Sequence, residues 1–248
     1  MDSDKLDTVK YSDLFTEFVR NRPLRVLAFF FITAFAMMAV ANSASAYYMQ
    51  YNVGQPQALP IFNALGSIPA FIFMPLVPAI KRAIGKKRMF YVFLLIAIIG
   101  MAMLYIISIS PSLKSELWLI YIAQFIKSTG VIVATGYMWA LVPEVISYGE
   151  WKTGKRISGV VNALTGIFFK AGFAMGGVIP GVVLSLTNFD AAKAQQTASA
   201  QQGILWLVVI IPAILLVLAM YVISKYELDD DKIDQINREI EAKHMSNR

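Results

Sequence analysis

Cysteine is absent from this sequence of 248 residues, and histidine occurs once, at His244. The chain can therefore form no disulfide, no cysteine-ligated metal site and no thiolate nucleophile. His244 lies in a polar segment near the end of the chain, and no acidic residue lies deep in a hydrophobic run. These absences leave no nucleophile, metal cage or acid–base pair, so we expect neither an enzyme nor a resident cofactor.

Charged side chains are also scarce, at 15% of the residues, whereas 57% are hydrophobic and the mean hydropathy is +0.59. A soluble domain needs a more charged surface, so the composition predicts a protein surrounded by membrane lipid. The formal net charge of +6 could indicate a nucleic-acid partner. However, the basic residues cluster beside hydrophobic segments and form no basic face with interleaved aromatics, so no nucleic acid is expected.

Six hydrophobic stretches are long enough to cross a bilayer, which takes about 20 apolar residues in a helix. The sequence thus predicts an all-α membrane protein with six transmembrane helices. These spans, called A to F, are expected at about 24–50, 58–80, 89–110, 117–143, 158–187 and 203–224. Residues 1–23 are expected to form an amphipathic segment along the membrane surface, and residues 225–248 a solvated, frayed helical tail.

The lysines and arginines outside the spans concentrate on one side of the predicted membrane. They are dense in the amino-terminal segment, in the loop between spans B and C, and in the loop between D and E. The three intervening loops carry only Lys114 and Lys193. Because basic residues are retained in the cytoplasm, we expect both termini inside the cell and a multi-pass protein of the plasma membrane.

Two lysines are predicted to lie deep in the membrane, Lys127 in span D and Lys170 in span E. At 1.5 Å per residue each is roughly 15–18 Å from the start of its span. A charge at such a depth costs about 2.5–3.5 kcal/mol on insertion scales. Hydrogen bonding to backbone carbonyls or snorkelling could explain either lysine, but a functional role is favoured for both.

Small and polar residues accompany these lysines and suit a water-filled sugar site, although they also suit plain helix packing. An aromatic ring in the inner half of span D can likewise stack on a sugar or simply pack. The candidate substrate and cation site comprises Lys170, Lys127, Thr165, Asn162, Gly166, Thr135, Trp139 and Asn42. Span E also contains Gly172, Gly176, Gly177 and Gly181, whose spacing is typical of close helix packing.

The connection between spans D and E alternates acids, bases, aromatics and glycines. Basic residues there are explained by topology alone, but the acids are not. Ion pairs that form in one state and break in another would make this connection a cytoplasmic gate. The candidate gate residues are Glu144, Tyr148, Glu150, Lys152, Lys155 and Arg156. The loop between B and C offers a second, more purely basic patch.

The string Tyr148-Gly-Glu-Trp-Lys-Thr-Gly-Lys-Arg156, followed by a span containing Lys170, resembles the glycoside-pentoside-hexuronide:cation symporters. Asn21-Arg-Pro-Leu24 also matches the second half of that family, the melibiose-permease-like branch of the major facilitator superfamily. The resemblance implies twelve helices in two halves, a sugar site between them, and Na⁺, H⁺ or Li⁺ as coupling ion. It implies a bacterial inner-membrane carrier of an oligosaccharide, xyloside, glucuronide or galactoside, with Lys170 near both sites.

The sequence departs from the family in two respects. Ser147 stands where family members often have an aspartate, so the resemblance supports no ion pair at that position. The acidic residues that bind the cation belong to the family's first half, so this chain is expected to be one half that needs a partner half. Two alternatives remain: a six-helix protomer that pairs with a second copy, and a membrane scaffold or accessory subunit that transports nothing.

Overall fold

The computed structural model describes residues 11–154 and 158–246, with side chains described for 15–154 and 158–245. Within these ranges every regular element is a helix and no strand occurs. The α-helices are α1 (Tyr11–Arg20), α2 (Arg22–Tyr47), α3 (Leu59–Phe73), α4 (Val77–Ile84), α5 (Lys86–Ile109), α6 (Leu117–Met138), α7 (Leu141–Thr153), α8 (Ser158–Leu186), α9 (Ala198–Leu205), α10 (Ile211–Ser224) and α11 (Asp230–Ser246). Short 3₁₀ turns occupy Pro56–Ala58 and Met74–Leu76, and π turns occupy Tyr48–Val53 and Trp206–Ile210.

Six helical stretches are long and apolar enough to cross a membrane, so the predicted all-α fold with six transmembrane helices is confirmed. The stretches are Arg22–Val53, Pro56–Ile84, Lys86–Ile109, Leu117–Thr153, Ser158–Leu186 and Ala198–Ser224. Their burial differs sharply. In Pro56–Ile84 and Ser158–Leu186 only 17% of the most apolar window is buried, against 39% or more in the other four. The described bundle therefore leaves the second and fifth crossings largely uncovered.

Asn21 starts span A and ties three helices together. Its side-chain oxygen accepts a hydrogen bond from the backbone N–H of Leu24 at 3.0 Å, which caps α2, and Pro23 follows in the first turn. Its amide nitrogen donates to Glu17 Oε1 at 2.7 Å and to the carbonyl of Val145 at 3.1 Å. The motif that carries the resemblance at this end of the chain is thus a helix cap joining α1, α2 and α7.

Contacts between span termini define the two opposite ends of the bundle. Arg22 at the start of α2 pairs with Glu227 after α10 at 2.8 Å, so both termini of the six-span domain lie at one end. Asn52 donates to the carbonyl of Gln201 at 2.9 Å and thereby joins the π turn after α2 to α9 at the opposite end. We call the end that contains Arg22 the basic end; its cytoplasmic orientation remains a prediction from charge.

The segment that follows span D is a helix, so the expected loop after residue 143 is wrong. α7 runs through Glu144 to Thr153 and ends at Gly154, which takes a left-handed conformation with φ of 70°. Pro143 was interpreted as the end of span D, but it lies in the first turn of α7. Proline is tolerated there because the backbone N–H groups of a first turn have no partner within the helix.

The tail is also more ordered than expected. α11 packs against α7, and its side chains Ile236 and Ile240 are buried in the main hydrophobic core. The prediction of a solvated, frayed tail is therefore wrong. The apolar positions 233, 236 and 240 share one face of α11. That narrow stripe suffices to pack α11 against the bundle because α7 supplies an apolar surface for it.

Glycines allow two pairs of helices to approach closely. A Cβ added at Gly100 of α5 would overlap the backbone of Lys127 in α6, and one at Gly130 of α6 would overlap the carbonyl of Phe93. Gly172 and Gly176 of α8 lie in the same way against α2, as their spacing predicted, whereas Gly177 and Gly181 face open space. Close backbone contact therefore fixes the depth of Lys127 in the bundle.

Gly100→Ala is expected to destabilise the protein by about 1–3 kcal/mol, because the added methyl group forces α5 and α6 apart. The measurement is the thermal unfolding midpoint in detergent. Gly177→Ala is the matched control, since it adds the same methyl group to a helical glycine in open space. Equal midpoints for the two variants would show that the α5–α6 contact is looser than described.

Candidate functional site

A cavity of about 550 Å³ lies between α2, α3, α5 and α6. Its volume is in the range of small-molecule sites. Its polar lining consists of Asn42, Ser45, Asn63, Ser67, Gln124, Lys127 and Ser128. Its other lining consists of Met37, Met38, Ala41, Gly66, Ala70, Phe71, Met101, Val131 and Ile132. No carboxylate is among these residues. The cavity thus combines an apolar wall with amides, hydroxyls and one cation.

Lys127 is the only ionisable residue in this lining and is 7% exposed. Its Nζ lies 5.8 Å from the centroid of the Phe62 ring, a distance suited to a cation–π contact. In the portions of the chain that the structure describes, its ammonium group has no hydrogen bond and no ion pair. The prediction that Lys127 lies deep in the protein therefore has a structural counterpart, but the described bundle provides no counter-charge for it.

Gln124 lies one turn before Lys127 on the same cavity wall. Its Oε1 is buried and accepts no hydrogen bond from any described residue. Its Nε2 faces Gly66, where a Cβ would come within 3.0 Å. A buried amide oxygen without a donor is uncommon in folded proteins, because losing its hydrogen bond costs free energy. The oxygen is thus left without a donor among the described residues.

Three of the predicted residues on spans A and D differ in their relation to the cavity. Asn42 lines it and is exposed at its rim. Thr135 is buried, and its hydroxyl donates to the carbonyl of Val131 in its own helix at 2.8 Å. Trp139 follows α6, does not line the cavity, and packs edge-to-face on Phe31 with ring centroids 4.9 Å apart. Of these three residues, only Asn42 offers an unsatisfied surface to a ligand in this cavity.

The predicted residues of span E do not line the cavity. Lys170, Asn162 and Gly166 lie on an exposed or open face of α8, whereas Thr165 is buried and donates to its own helix. The cause is the rotation of α8. At 100° per residue, Lys170 and Gly176 lie about 240° apart around the axis of α8. Because Gly176 contacts α2, Lys170 points away from α2. The two deep lysines are thus separated, one inside the bundle and one on its outer face.

A partly buried ionic cluster lies at the basic end; it consists of Lys81, Lys86, Glu144, Tyr226 and Asp230. Lys86 Nζ lies 2.7 Å from both carboxylate oxygens of Glu144 and donates to the carbonyl of Leu228 at 3.0 Å. It also lies 3.4 Å from Asp230, which pairs with Lys81 at 2.8 Å. The cluster therefore joins α4, α5, α7 and the start of α11.

Two residues of the cluster, Tyr226 and Asp230, lie outside the spans, and their contacts explain the direction of their pKa shifts. Burial by itself would raise the pKa of Asp230, but the hydrogen bond from Lys81 and the charges of Lys86 and Lys81 outweigh it and lower this pKa. Burial and the neighbouring carboxylate of Glu144 raise the pKa of Tyr226 well above its ordinary value. Asp230 is thus charged at neutral pH, and Tyr226 keeps the proton that it donates to Glu144 over 2.8 Å.

Among the other candidate gate residues, Glu150 lies against α11. Glu150 is buried, and its Oε1 lies 3.2 Å from His244 Nε2. Lys152 lies over the rings of Tyr148 and Trp151, at 5.9 and 5.6 Å from their centroids. Trp151, which sequence reasoning did not single out, donates its indole N–H to Glu239 at 2.6 Å. Lys155 and Arg156 lie outside the described residues.

Sequence reasoning found Glu144 but missed its partners. Lys86 falls in the segment predicted as the basic loop between B and C, but it is the first residue of α5. Tyr226 and Asp230 fall in the tail that was expected to be solvated. A signal was available in the tail, because Tyr226 and Leu228 are apolar positions directly before an acidic helix start. Only the tertiary packing shows that they meet Glu144.

Comparisons with known proteins bear on the whole chain. A family model described as MFS/sugar transport protein matches residues 2–230. The chain is 41% identical over 235 residues to the uncharacterized symporter YnaJ of Bacillus subtilis (strain 168), covering 95% of this chain and 50% of that protein. It is 30% identical over 226 residues to the glucuronide carrier protein homolog of Escherichia coli (strain K12), covering 90% and 48%.

A third relative, the inner membrane symporter YicJ of Escherichia coli (strain K12), is 27% identical over 210 residues, which cover 84% of this chain and 44% of that protein. The chain therefore spans about half the length of the curated relatives it matches.

Glu144→Gln is expected to loosen the docking of α11, because it removes the charge that compensates buried Lys86 and so costs about 1–3 kcal/mol. Amide hydrogen exchange of α11 is the measurement, and faster exchange is the expected result. Glu227→Gln serves as control, since its pair with Arg22 is half exposed and contributes little. Unchanged exchange in Glu144→Gln would mean that the cluster does not hold the tail.

Proposed function

This chain belongs to the MFS/sugar transport protein family, and from that membership we propose that it is the carboxy-terminal half of a sugar:cation symporter. The complete carrier would contain two six-helix halves and would move a sugar or glycoside by alternating access. The coupling ion would be Na⁺ or H⁺, as the word symporter in the names of two relatives supports.

The observation that carries the proposal is the outward position of Lys170. It lies twelve residues into α8, about 18 Å from its start, on one of the two least covered crossings. Asn162 and open Gly166 share its face. Lipid would be an unfavourable neighbour for this polar face, so a second polar surface is needed against it. The other half of a twelve-helix carrier supplies such a surface and an acidic partner for Lys170.

The cargo proposed is an oligosaccharide, xyloside, glucuronide or galactoside. The family description names sugar transport, and one relative is named a glucuronide carrier protein homolog. We place the carrier in the plasma membrane, in bacteria the inner membrane, with both ends of this chain in the cytoplasm.

The ionic cluster is proposed as the cytoplasmic gate. Lys86 and Glu144 belong to different crossings, so a separation of α5 from α7 would break their contact. Shifting an equilibrium between two states requires contacts that differ between them, and a dense group of ion pairs at one end meets that condition. The proposed gate thus comprises Glu144 from the predicted set, together with Lys81, Lys86, Tyr226 and Asp230.

A fusion of this chain to the unmatched half of symporter YnaJ is expected to accumulate a labelled glycoside in vesicles when a Na⁺ or H⁺ gradient is imposed. The chain alone is expected to show no gradient-driven uptake. Uptake by the chain alone would favour a carrier built from two copies. Absence of uptake from a correctly inserted fusion, across the four glycoside classes, would instead favour a scaffold or accessory subunit.

Lys170→Met in the fusion is expected to lower coupled uptake at least tenfold while the amount of inserted protein stays equal or rises, because an expensive charge is removed. Lys193→Met is the control, since Lys193 lies in an exposed loop beside Asp190. Normal uptake by Lys170→Met would refute the role of this lysine, and reduced insertion would show that the charge stabilises the assembly.

A further inference from the structure

We propose that the corner between α4 and α5 binds the phosphate of an anionic phospholipid, whose acyl chains lie along the exposed face of α5. Three cations of this corner, Arg82, Lys87 and Arg88, are exposed, and we call them the basic corner. The proposal depends on the membrane-spanning fold and not on what is transported, so it goes beyond the proposed function.

The cations between the second and third crossings fall into two sets. Five of the eight residues in 81–88 are lysine or arginine. Lys81 and Lys86 turn towards the ionic cluster, where Asp230 lies 2.8 Å from the first and Glu144 lies 2.7 Å from the second. The basic corner makes up the other set and is exposed. Protein carboxylates thus neutralise one side of the corner and not the other.

The basic corner has no counter-ion in the parts of the chain that the structure describes. Lys87 and Arg88 make no ion pair or hydrogen bond with any described side chain. Arg82 donates only to the carbonyl of Pro78 in its own helix, at 3.3 Å. Gly85 has φ of 82° and joins the two helices directly, so the three cations form one compact group.

The field at this corner is positive for a second reason. The first turn of α5 contains no acidic residue, so the positive end of the helix dipole adds to the charge of Lys87 and Arg88. Cations are disfavoured at that end of a helix. Crowded charge of one sign raises the local concentration of counter-ions, and an anion held against the corner relieves the repulsion.

Beyond these cations, the exposed face of α5 is apolar over the thickness of a bilayer core. Its exposed side chains after Arg88 are Tyr91, Val92, Leu95, Ile99, Ala102, Ile106 and Ile109. At 100° per residue, all of them lie within about 60° of Arg88 around the helix axis. The face is about 27 Å long at 1.5 Å per residue, which is close to the hydrocarbon thickness. The cations therefore lie at the depth of lipid phosphates, and Tyr91 lies at the interface.

A phospholipid suits this surface better than a protein partner or a soluble phosphate does. The exposed face of α8 carries Lys170 and Asn162, which need a polar surface against them, whereas the apolar face of α5 exposes only the hydroxyl of Tyr91. A soluble phosphate would contact the cations alone. A phospholipid contacts the cations and the apolar face with one molecule, and basic clusters beside membrane-spanning helices recognise anionic headgroups. Retention of positive charge in the cytoplasm explains why cations are present, but not why three of them lack carboxylates.

The test is native mass spectrometry of the purified 248-residue chain in detergent. The chain is incubated with equal amounts of phosphatidylglycerol and phosphatidylcholine that carry the same palmitoyl and oleoyl chains, so only the headgroup charge differs. Phosphatidylglycerol is expected to be retained at least about fivefold more, because each cation near an anionic headgroup contributes to binding. Added salt should lower this preference, since it screens exposed charges.

The corner variant combines Arg82→Gln, Lys87→Gln and Arg88→Gln. It is expected to lower the preference for phosphatidylglycerol to about twofold or less, because the three charges that face the headgroup are gone. A preference that survives in this variant would overturn the proposal.

The matched control combines Lys225→Gln, Lys232→Gln and Arg238→Gln. It also removes three exposed cations, but from the carboxyl-terminal segment, and it leaves the corner intact. The control is expected to keep the preference. An equal loss in the two variants would show that net charge attracts the lipid, and would refute a site at the corner.

A measurement on the unsubstituted chain covers the case in which the corner variant does not fold. The chain is reconstituted in phosphatidylcholine vesicles that contain a trace of phosphatidylglycerol or phosphatidylcholine with a diazirine on one acyl chain. After irradiation, the ratio of phosphatidylglycerol to phosphatidylcholine label should be at least about threefold higher on the exposed face of α5 than on that of α10. The reference face of α10 consists of Ile214, Val217, Leu218 and Tyr221. Equal ratios would overturn the proposal, and label on α10 without label on α5 would show that protein covers α5.

Two further outcomes count against the proposal. Equal retention of the two lipids, or retention of neither, would show that the basic corner is simply solvated. Displacement of phosphatidylglycerol by the same concentration of glycerophosphoglycerol, its headgroup without acyl chains, would show that the corner binds soluble phosphates. None of these results bears on transport, because uptake by the fusion is measured separately. Lipid preference without uptake supports the inference and removes the transport role, and uptake without lipid preference does the reverse.

Discussion

A positive charge placed inside a bundle of apolar helices must be compensated, and three lysines of this protein meet that constraint in different ways. Lys86 is surrounded by Glu144, Asp230 and a backbone carbonyl, and it joins α5, α7 and the start of α11 at the basic end. Lys127 is enclosed but lacks an anion among the described residues. Lys170 is turned outward by the rotation of α8. Compensation is thus structural for Lys86, and for Lys170 we assign it to another half.

The membrane-spanning fold was accessible from sequence because length and hydropathy suffice to find a crossing helix. Which face of a helix points inward was not accessible. Lys170 and Thr165 were grouped as neighbours along α8, yet one is exposed and the other buried. The glycines that set this rotation were visible in the sequence, but their partner, Ala39 and its neighbours in α2, is a tertiary contact. Close packing could be predicted; its direction could not.

The same limit explains the errors after span D and in the tail. Pro143 signals either the end of one helix or the beginning of the next, and only the geometry of α7 distinguishes the two. The apolar stripe of α11 is narrow and set among charges, so by itself it resembles a solvated helix. Its burial depends on α7 being helical, and one error therefore led to the other. The unpaired oxygen of Gln124 could not be predicted from sequence, because it is found only when the hydrogen bonds of a buried amide are known.

The docking of α11 also links the far end of the chain to the ionic cluster. Tyr226 and Asp230 belong at once to the ionic cluster and to the stretch that leads into α11, so a force applied to the carboxyl end acts on Glu144 and Lys86 within a few residues. A protein that grips this end, or an affinity tag fused to it, would pull on the contacts that close the basic end. A label attached at the carboxyl end would thus act on the ionic cluster, and the opposite end of the bundle is the safer place for it.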